Sequence, residues 1–261
     1  MFNNARIVAT DFSGLWRVCG PGVAFRWLWA IVLNFGRIRR AGNLQTADVA
    51  LGEGPFRVRL RGSNALVRGD QVVSGIREIW VRDTYLGDFL TLADGAKVVD
   101  LGANRGIFTA LALGYGPNVK VVAVEADPNE CERFRQNVAV NKAESRVDLI
   151  NAFAGGTTEY QDGLKSSDRA ATVPSVTEEQ ILAHLGGGPV DLVKCDIEGS
   201  EFAILANAGP LLAATQQFTA ELHPDCGDVP AAIEQLKQMG FDEIESWTHP
   251  PTVFVRARRK K

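Results

Sequence analysis

A chain of 261 residues with 46% hydrophobic and 23% charged residues can bury a sizeable core, as one large domain or as one domain with an N-terminal addition. A formal net charge of -3 argues against the basic stripe of a nucleic-acid-binding protein, so no nucleic-acid partner is expected. Cys19, Cys131, Cys195 and Cys226 are scattered without a C-x-x-C pair, which points away from zinc and disulfides and toward reduced, buried thiols in a cytoplasmic protein.

Helical stretches are expected at 11–17 and 23–39. The apolar run 23–35, broken by Arg26, is shorter than the about 20 residues of a membrane span. It also lacks the place and cleavage site of a signal peptide, so no transmembrane segment is expected. Trp27, Leu28 and Trp29 next to Arg37, Arg39 and Arg40 make this stretch amphipathic. A helix packed on the main domain explains that pattern, and contact with a membrane surface is the alternative. Residues 56–61 alternate apolar and arginine, as a half-buried strand does. Its arginine face is either solvated or a site for an acidic substrate. Residues 1–80 thus read as a helical and β segment, expected to act as lid and acceptor-selecting region.

From residue 81 to 261 the pattern is regular. Strands are expected at 97–101, 120–125, 147–152, 191–196 and 217–223, with helices at 106–113, 128–141, 177–185, 200–206 and 229–239. Such alternation builds a parallel sheet covered on both faces. Two closing strands, 242–246 and 252–256, are too closely linked to be parallel. The expected fold is α/β and Rossmann-like, with a seven-stranded, mostly parallel sheet and one reversed strand. Arg258 to Lys261 read as a solvated tail.

Ligands of such sheets bind beyond the carboxyl ends of the strands. The first strand runs into Asp100-Leu101-Gly102-Ala103-Asn104-Arg105-Gly106, whose glycines allow a tight turn and close backbone approach. The spacing is G-x-x-x-G, not the dinucleotide-binding G-x-G-x-x-G, which weakens a nicotinamide dehydrogenase as a reading. Glu125 ends the second strand, followed by Ala126, where a carboxylate can accept both ribose hydroxyls. Asn151 and Ala152 end the third, beside the expected adenine edge. Tyr85 is a candidate for the methionine end of an adenosyl ligand, or for plain core packing. Asp196, Glu198 and Glu201 surround the end of the fourth strand, and Glu221 and His223 that of the fifth. Glu198 and Glu201 also suit a helix N-terminus as dipole partners. Asp196, Glu221 and His223 together could hold a divalent cation, with magnesium favoured by hard oxygen ligands. The competing account is metal-free base catalysis by His223, assisted by Glu198, or by a carboxylate of the Asp196–Glu198 pair.

The run 98–109 resembles motif I of the FkbM family of S-adenosylmethionine-dependent methyltransferases. Asp191-Leu192-Val193-Lys194-Cys195-Asp196-Ile197-Glu198-Gly199-Ser200-Glu201 looks like that family's second hallmark, with Cys195 where an aliphatic residue is usual. Glu221-Leu222-His223-Pro224 is similar to its strand-five motif. The resemblance implies a class I methyltransferase fold, S-adenosylmethionine as cofactor, and O-methylation of hydroxyls on polyketides, glycolipids or saccharides. A sugar hydroxyl is the favoured acceptor, such as that of a mannoside. A nucleic-acid methyltransferase would show an Asn-Pro-Pro-aromatic or Asp-Pro-Pro-aromatic tetrad, absent after the fourth strand. A non-catalytic methyltransferase-like binding protein would need Gly102 and Glu125 but not Asp196, Glu221 and His223. A homo-oligomer is compatible with all of these.

Overall fold

Val98 to Leu101 and Val121 to Val124 are buried without alternation, because a parallel sheet with both faces covered gives neither to water. The computed structural model describes residues 2–36, 38, 51–69, 72–155, 172–206 and 209–260. Its N-terminal elements are helices α1 (Phe2–Cys19) and α2 (Pro21–Leu33), then an antiparallel hairpin of β1 (Phe56–Leu60) and β2 (Ser63–Val67). A short helix α3 (Val72–Gly75) continues into a π-helical turn, Ile76–Val81. There follow β3 (Lys97–Leu101), α4 (Ile107–Leu113), β4 (Lys120–Glu125), α5 (Pro128–Val140), β5 (Val147–Asn151) and α6 (Glu178–His184). The chain continues through β6 (Val190–Cys195), α7 (Glu201–Ala206), α8 (Pro210–Ala213), β7 (Thr215–Leu222), α9 (Val229–Gln238), β8 (Glu243–His249) and β9 (Thr252–Arg258).

The sheet order is β5-β4-β3-β6-β7-β9-β8. Neighbours from β5 through β7 are parallel, whereas β9 is antiparallel to both β7 and β8. The expected seven-stranded sheet with one reversed strand is therefore present. Its two faces carry two cores. One face packs Val98, Val121 and Leu192 with Phe108 and Phe134 of α4 and α5, and with Leu15, Trp27 and Val58 of the N-terminal elements. The other packs Val99, Val122 and Val193 against Ile181, Leu205, Leu212 and Leu236. A side chain such as Phe108 contributes about 1.5–3 kcal/mol by such burial.

Local chemistry sets the helix starts. Asp127 accepts the Asn129 amide and precedes Pro128, Thr177 forms a capping box with Gln180, and Asp228 accepts the Ala231 amide, each occupying an otherwise orphaned donor. α1 lies against the π-helical turn because Gly14 has no Cβ; one would come within 2.0 Å of Val81 Cγ1. Across this contact Arg77 Nε donates to Asp11 Oδ2 at 2.8 Å, both side chains being buried.

Several expectations change. The first two helices are longer at their N-termini than periodicity suggests, and β2 and the π-helical turn carried no readable signal. The tail is not solvated at its start: Arg258 pairs with Glu243 and donates to the Phe89 carbonyl at 2.9 Å. Arg259 Nε donates to the Thr215 carbonyl at 2.8 Å. Cys131 and Cys195 are buried, but Cys226 is exposed. Arg57 and Arg59 are exposed on β1, whereas Arg61 pairs with Asp83 at 2.7 Å. Arg37, Arg39 and Arg40 lie outside the described residues. No helix among the described residues is long and apolar enough to cross a membrane.

Candidate active site

The ends of β3, β4, β5 and β6 border an open cleft of about 200 Å3 lined by Gly102, Asn104, Glu125, Ala126, Ala152, Phe153, Asp196 and Glu198. A second hollow shares Gly102, Asn104 and Asp196 with it and reaches Ser74, Glu78, Tyr85 and Lys194.

Glu125 is pre-oriented. Its Oε2 accepts the Asn104 amide and its Oε1 the Asp127 amide, each at 2.7 Å. Burial raises its carboxyl above the usual range, and those two amides partly offset this. Each carboxylate oxygen keeps a further lone pair for an incoming donor. Asn104 adopts a left-handed φ of 49°, which asparagine tolerates better than most residues; this turns its amide toward Glu125.

Gly102 and Gly106 take left-handed φ of 71° and 79°, as a tight turn requires. The amides of Gly102 and Ala103 both donate to the Val124 carbonyl at 3.0 Å. Gly102 lines the cleft, but its missing Cβ makes room for the chain itself: a Cβ would lie 1.6 Å from the Asp196 carbonyl oxygen. Gly106 is packed under Phe134. Asn151 lies behind the cleft, donating to the carbonyls of Glu125 and Ala126 at 2.9 and 3.0 Å. Ala152 and Phe153 supply the wall instead.

Beneath the cleft lies a charged group in which Asp100 and Asp196, both candidates from the sequence, are joined by Lys194, which was not. Asp100 is fully buried and accepts the Thr109 hydroxyl at 2.7 Å. Lys194, opposite it in the β3–β6 register, lies 3.4 Å from Asp100 and 3.6 Å from Asp196. It also donates to the Gly102 carbonyl at 2.7 Å. Burial favours the neutral amine, but the carboxylates of Asp100 and Asp196 prevail and raise the lysine well above its ordinary value. The signal was a lysine between the buried Val193 and Cys195 of β6. Tyr85 donates its hydroxyl to Asp196 Oδ2 at 2.8 Å. Glu78, raised chiefly by burial and then by Asp196, lines the same hollow from the π-helical turn; no sequence pattern marked it.

His223 is held between two acids. Its Nδ1 lies 3.3 Å from Glu201 Oε1 and its Nε2 3.5 Å from Glu198 Oε2, distances of ion pairing rather than of well-aligned hydrogen bonds. Glu201 is fully buried and accepts the Ile197 amide at 2.7 Å. Glu201 foremost, with Asp196 and Glu198 behind it, holds the imidazole at about 9 against the burial that would lower it. Glu221 is pushed up to about 8, first by burial and then by Asp196.

The expected magnesium centre is not assembled. Among the described residues no group of three histidine, cysteine or acidic side chains is placed to hold a metal ion. Asp196 is engaged by Lys194 and Tyr85, and His223 lies between Glu198 and Glu201. Strand order brings these residues near one another, but Lys194 already pairs with Asp196.

The family description "Methyltransferase FkbM domain" matches residues 100–247, more than half of the chain. The chain belongs to the FkbM family of methyltransferases. It is 27% identical over 210 residues to 31-O-demethyl-FK506 methyltransferase FkbM of Streptomyces tacrolimicus, covering 64% of this chain and 81% of that one. Precorrin-6y C5,15-methyltransferase of Geobacter metallireducens aligns with TM-score 0.44 and 18% identity over 66% of this chain and 84% of its own. The N-terminal domain of EvdMO1 with SAH bound aligns with TM-score 0.41 and 17% identity over 63% and 75%.

Proposed function

We propose that this FkbM-family enzyme transfers a methyl group from S-adenosylmethionine to a hydroxyl oxygen of a small molecule, with a sugar or oligosaccharide hydroxyl as the favoured acceptor. The observation that carries the cofactor is Glu125: a carboxylate fixed by two backbone amides at the end of β4, with lone pairs left for two ribose hydroxyls. Ala152 and Phe153 offer the adenine a flat apolar wall. The second hollow, with Tyr85 and Asn104, suits the polar methionine end.

Bound there, the cofactor supplies an activated methyl group on a sulfonium, which attack by an acceptor oxygen converts to a neutral thioether. The residues of the chain orient the acceptor and take its proton. Glu198 is the best-placed base. It lines the cleft with its side chain half-exposed, and burial, followed by Asp196, raises its carboxyl above the ordinary value, making it a stronger proton acceptor. Asp196 is already committed to Tyr85 and Lys194. His223, protonated at neutral pH, orients Glu198 rather than acting as base.

A second reading puts the hydroxyl on a polyketide or another secondary metabolite, supported by the relative named for 31-O-demethyl-FK506. Residues 1–80 would then select the acceptor in either case. Incubation with S-adenosylmethionine and separate panels of saccharide and polyketide alcohols, analysed by mass spectrometry, tests both. One methyl gained on a saccharide oxygen supports the first. Transfer only to nitrogen or carbon would overturn O-methylation, and binding without transfer to any acceptor would leave a non-catalytic binding protein.

A further inference from the structure

The face of α2 that packs inward is Ala24, Trp27 and Ile31. Phe25, Trp29, Val32 and Leu33 fall at i, i+4, i+7 and i+8 on the opposite side, one continuous helical stripe. That stripe is exposed: Trp29 is 64% and Leu33 69% accessible, and Phe35 just beyond it 57%. Trp16 of α1, also exposed, extends the surface across the hairpin, its ring 5.5 Å from that of Phe25. Contiguous exposure of six large apolar side chains, two of them tryptophan, marks an interaction surface rather than ordinary scatter.

Charge identifies the partner. In a chain of net charge -3, residues 1–47 carry six arginines and one acid, Asp11. Asp11 is buried and paired with Arg77, so no acidic side chain in this stretch faces outward. Arg6, Arg17 and Arg26 are exposed, and the sequence adds Arg37, Arg39 and Arg40 directly after the apolar stripe. We propose that the α1–α2 hairpin docks the enzyme on an anionic lipid bilayer surface, with Trp16, Phe25, Trp29 and Leu33 entering the interface and the arginines meeting the headgroups. Tryptophan and arginine together suit the boundary between headgroups and acyl chains. The 13 residues of α2 span only about 20 Å, so the helix lies along the surface and does not cross it. A second copy of the chain is disfavoured as occupant, because a two-fold contact sets the same arginine-rich patch against itself.

The inner face of the hairpin rests on the π-helical turn through Gly14 and the Arg77–Asp11 pair, and that turn lines the second hollow with Glu78. Docking therefore sets the enzyme on the bilayer next to the catalytic cleft. The proposal does not depend on the identity of the acceptor.

Flotation of the full chain with vesicles tests it. Vesicles of equal parts phosphatidylcholine and phosphatidylglycerol should carry the protein upward at low salt, and less so at high salt, while phosphatidylcholine alone should not. Phe25→Ser and Trp29→Ser should each weaken partition by roughly tenfold or more, since each removes a large apolar side chain from the interface. Replacing Arg37, Arg39 and Arg40 by glutamine should cost about fivefold per arginine. An unchanged S-adenosylhomocysteine thermal shift in each variant confirms an intact fold, separately from docking. No flotation with anionic vesicles, equal flotation with neutral ones, or a Trp29-dependent dimer in sedimentation velocity would overturn the assignment.

Discussion

Glu125 spends one lone pair of each oxygen on a backbone amide, so its geometry is set before any ligand arrives. Glu125→Ala should therefore weaken S-adenosylhomocysteine binding by roughly 2 kcal/mol, the range of a hydrogen bond to a charged group. Calorimetric titration reads this directly, and an unchanged affinity would remove the ribose assignment. Gly102→Val acts through the protein itself. A Cβ at that position meets the Asp196 carbonyl at 1.6 Å, so the β3 and β6 ends must separate and the variant should lose stability as well as ligand binding. A thermal melt in the absence of ligand distinguishes this from simple blocking of the cleft. Gly102 and Glu125 were legible in the sequence because their types and spacing report backbone demands. Lys194 and Glu78 were not, since what gives them meaning is the partner across the register or beneath the turn. The magnesium centre failed for the same reason: spacing says which strand ends meet, not which ammonium already neutralises their acids.

The strands and longer helices of residues 97–258 follow from periodicity, which was readable, whereas the short α8 was not expected. Asp228 caps α9, and Asp228→Ala should cost about 1 kcal/mol, lowering the melting temperature by about 2–4 °C with ligand affinity unaffected. The π-helical turn, Ile76–Val81, left no such mark because its conformation is imposed from outside, by α1 and the Arg77–Asp11 pair. Arg77→Ala leaves buried Asp11 with Arg82 alone beside it, at 3.3 Å, and a loss approaching roughly 3–5 kcal/mol of stability is expected, the range for breaking a buried pair. The double variant Asp11→Leu with Arg77→Met removes both charges and should recover most of it. Denaturant unfolding of the three proteins measures the recovery; a double variant as unstable as Arg77→Ala would show that the pair contributes more than mutual neutralisation.

Across the whole molecule, the acids around the cleft couple its electrostatics to folding. His223 titrates at about 9 in the folded chain and near 6.5 when unfolded, so folding is linked to proton uptake between those values. Its stabilisation is complete below about 6.5 and lost as pH rises through 9. Glu221, at about 8 folded against about 4.3 unfolded, acts in the same direction over a lower window: the folded state holds a proton that the unfolded chain has released. Both effects make the protein less stable as pH rises from about 5 to 9. The thermal midpoint should therefore decline across that range, with His223→Gln flattening the upper part and Glu221→Gln the lower. Scanning calorimetry at constant ionic strength separates the two windows. A midpoint that climbs through this interval would mean that Glu201 and Glu198 do not hold the imidazole charged, and His223 would return as the candidate base in place of Glu198.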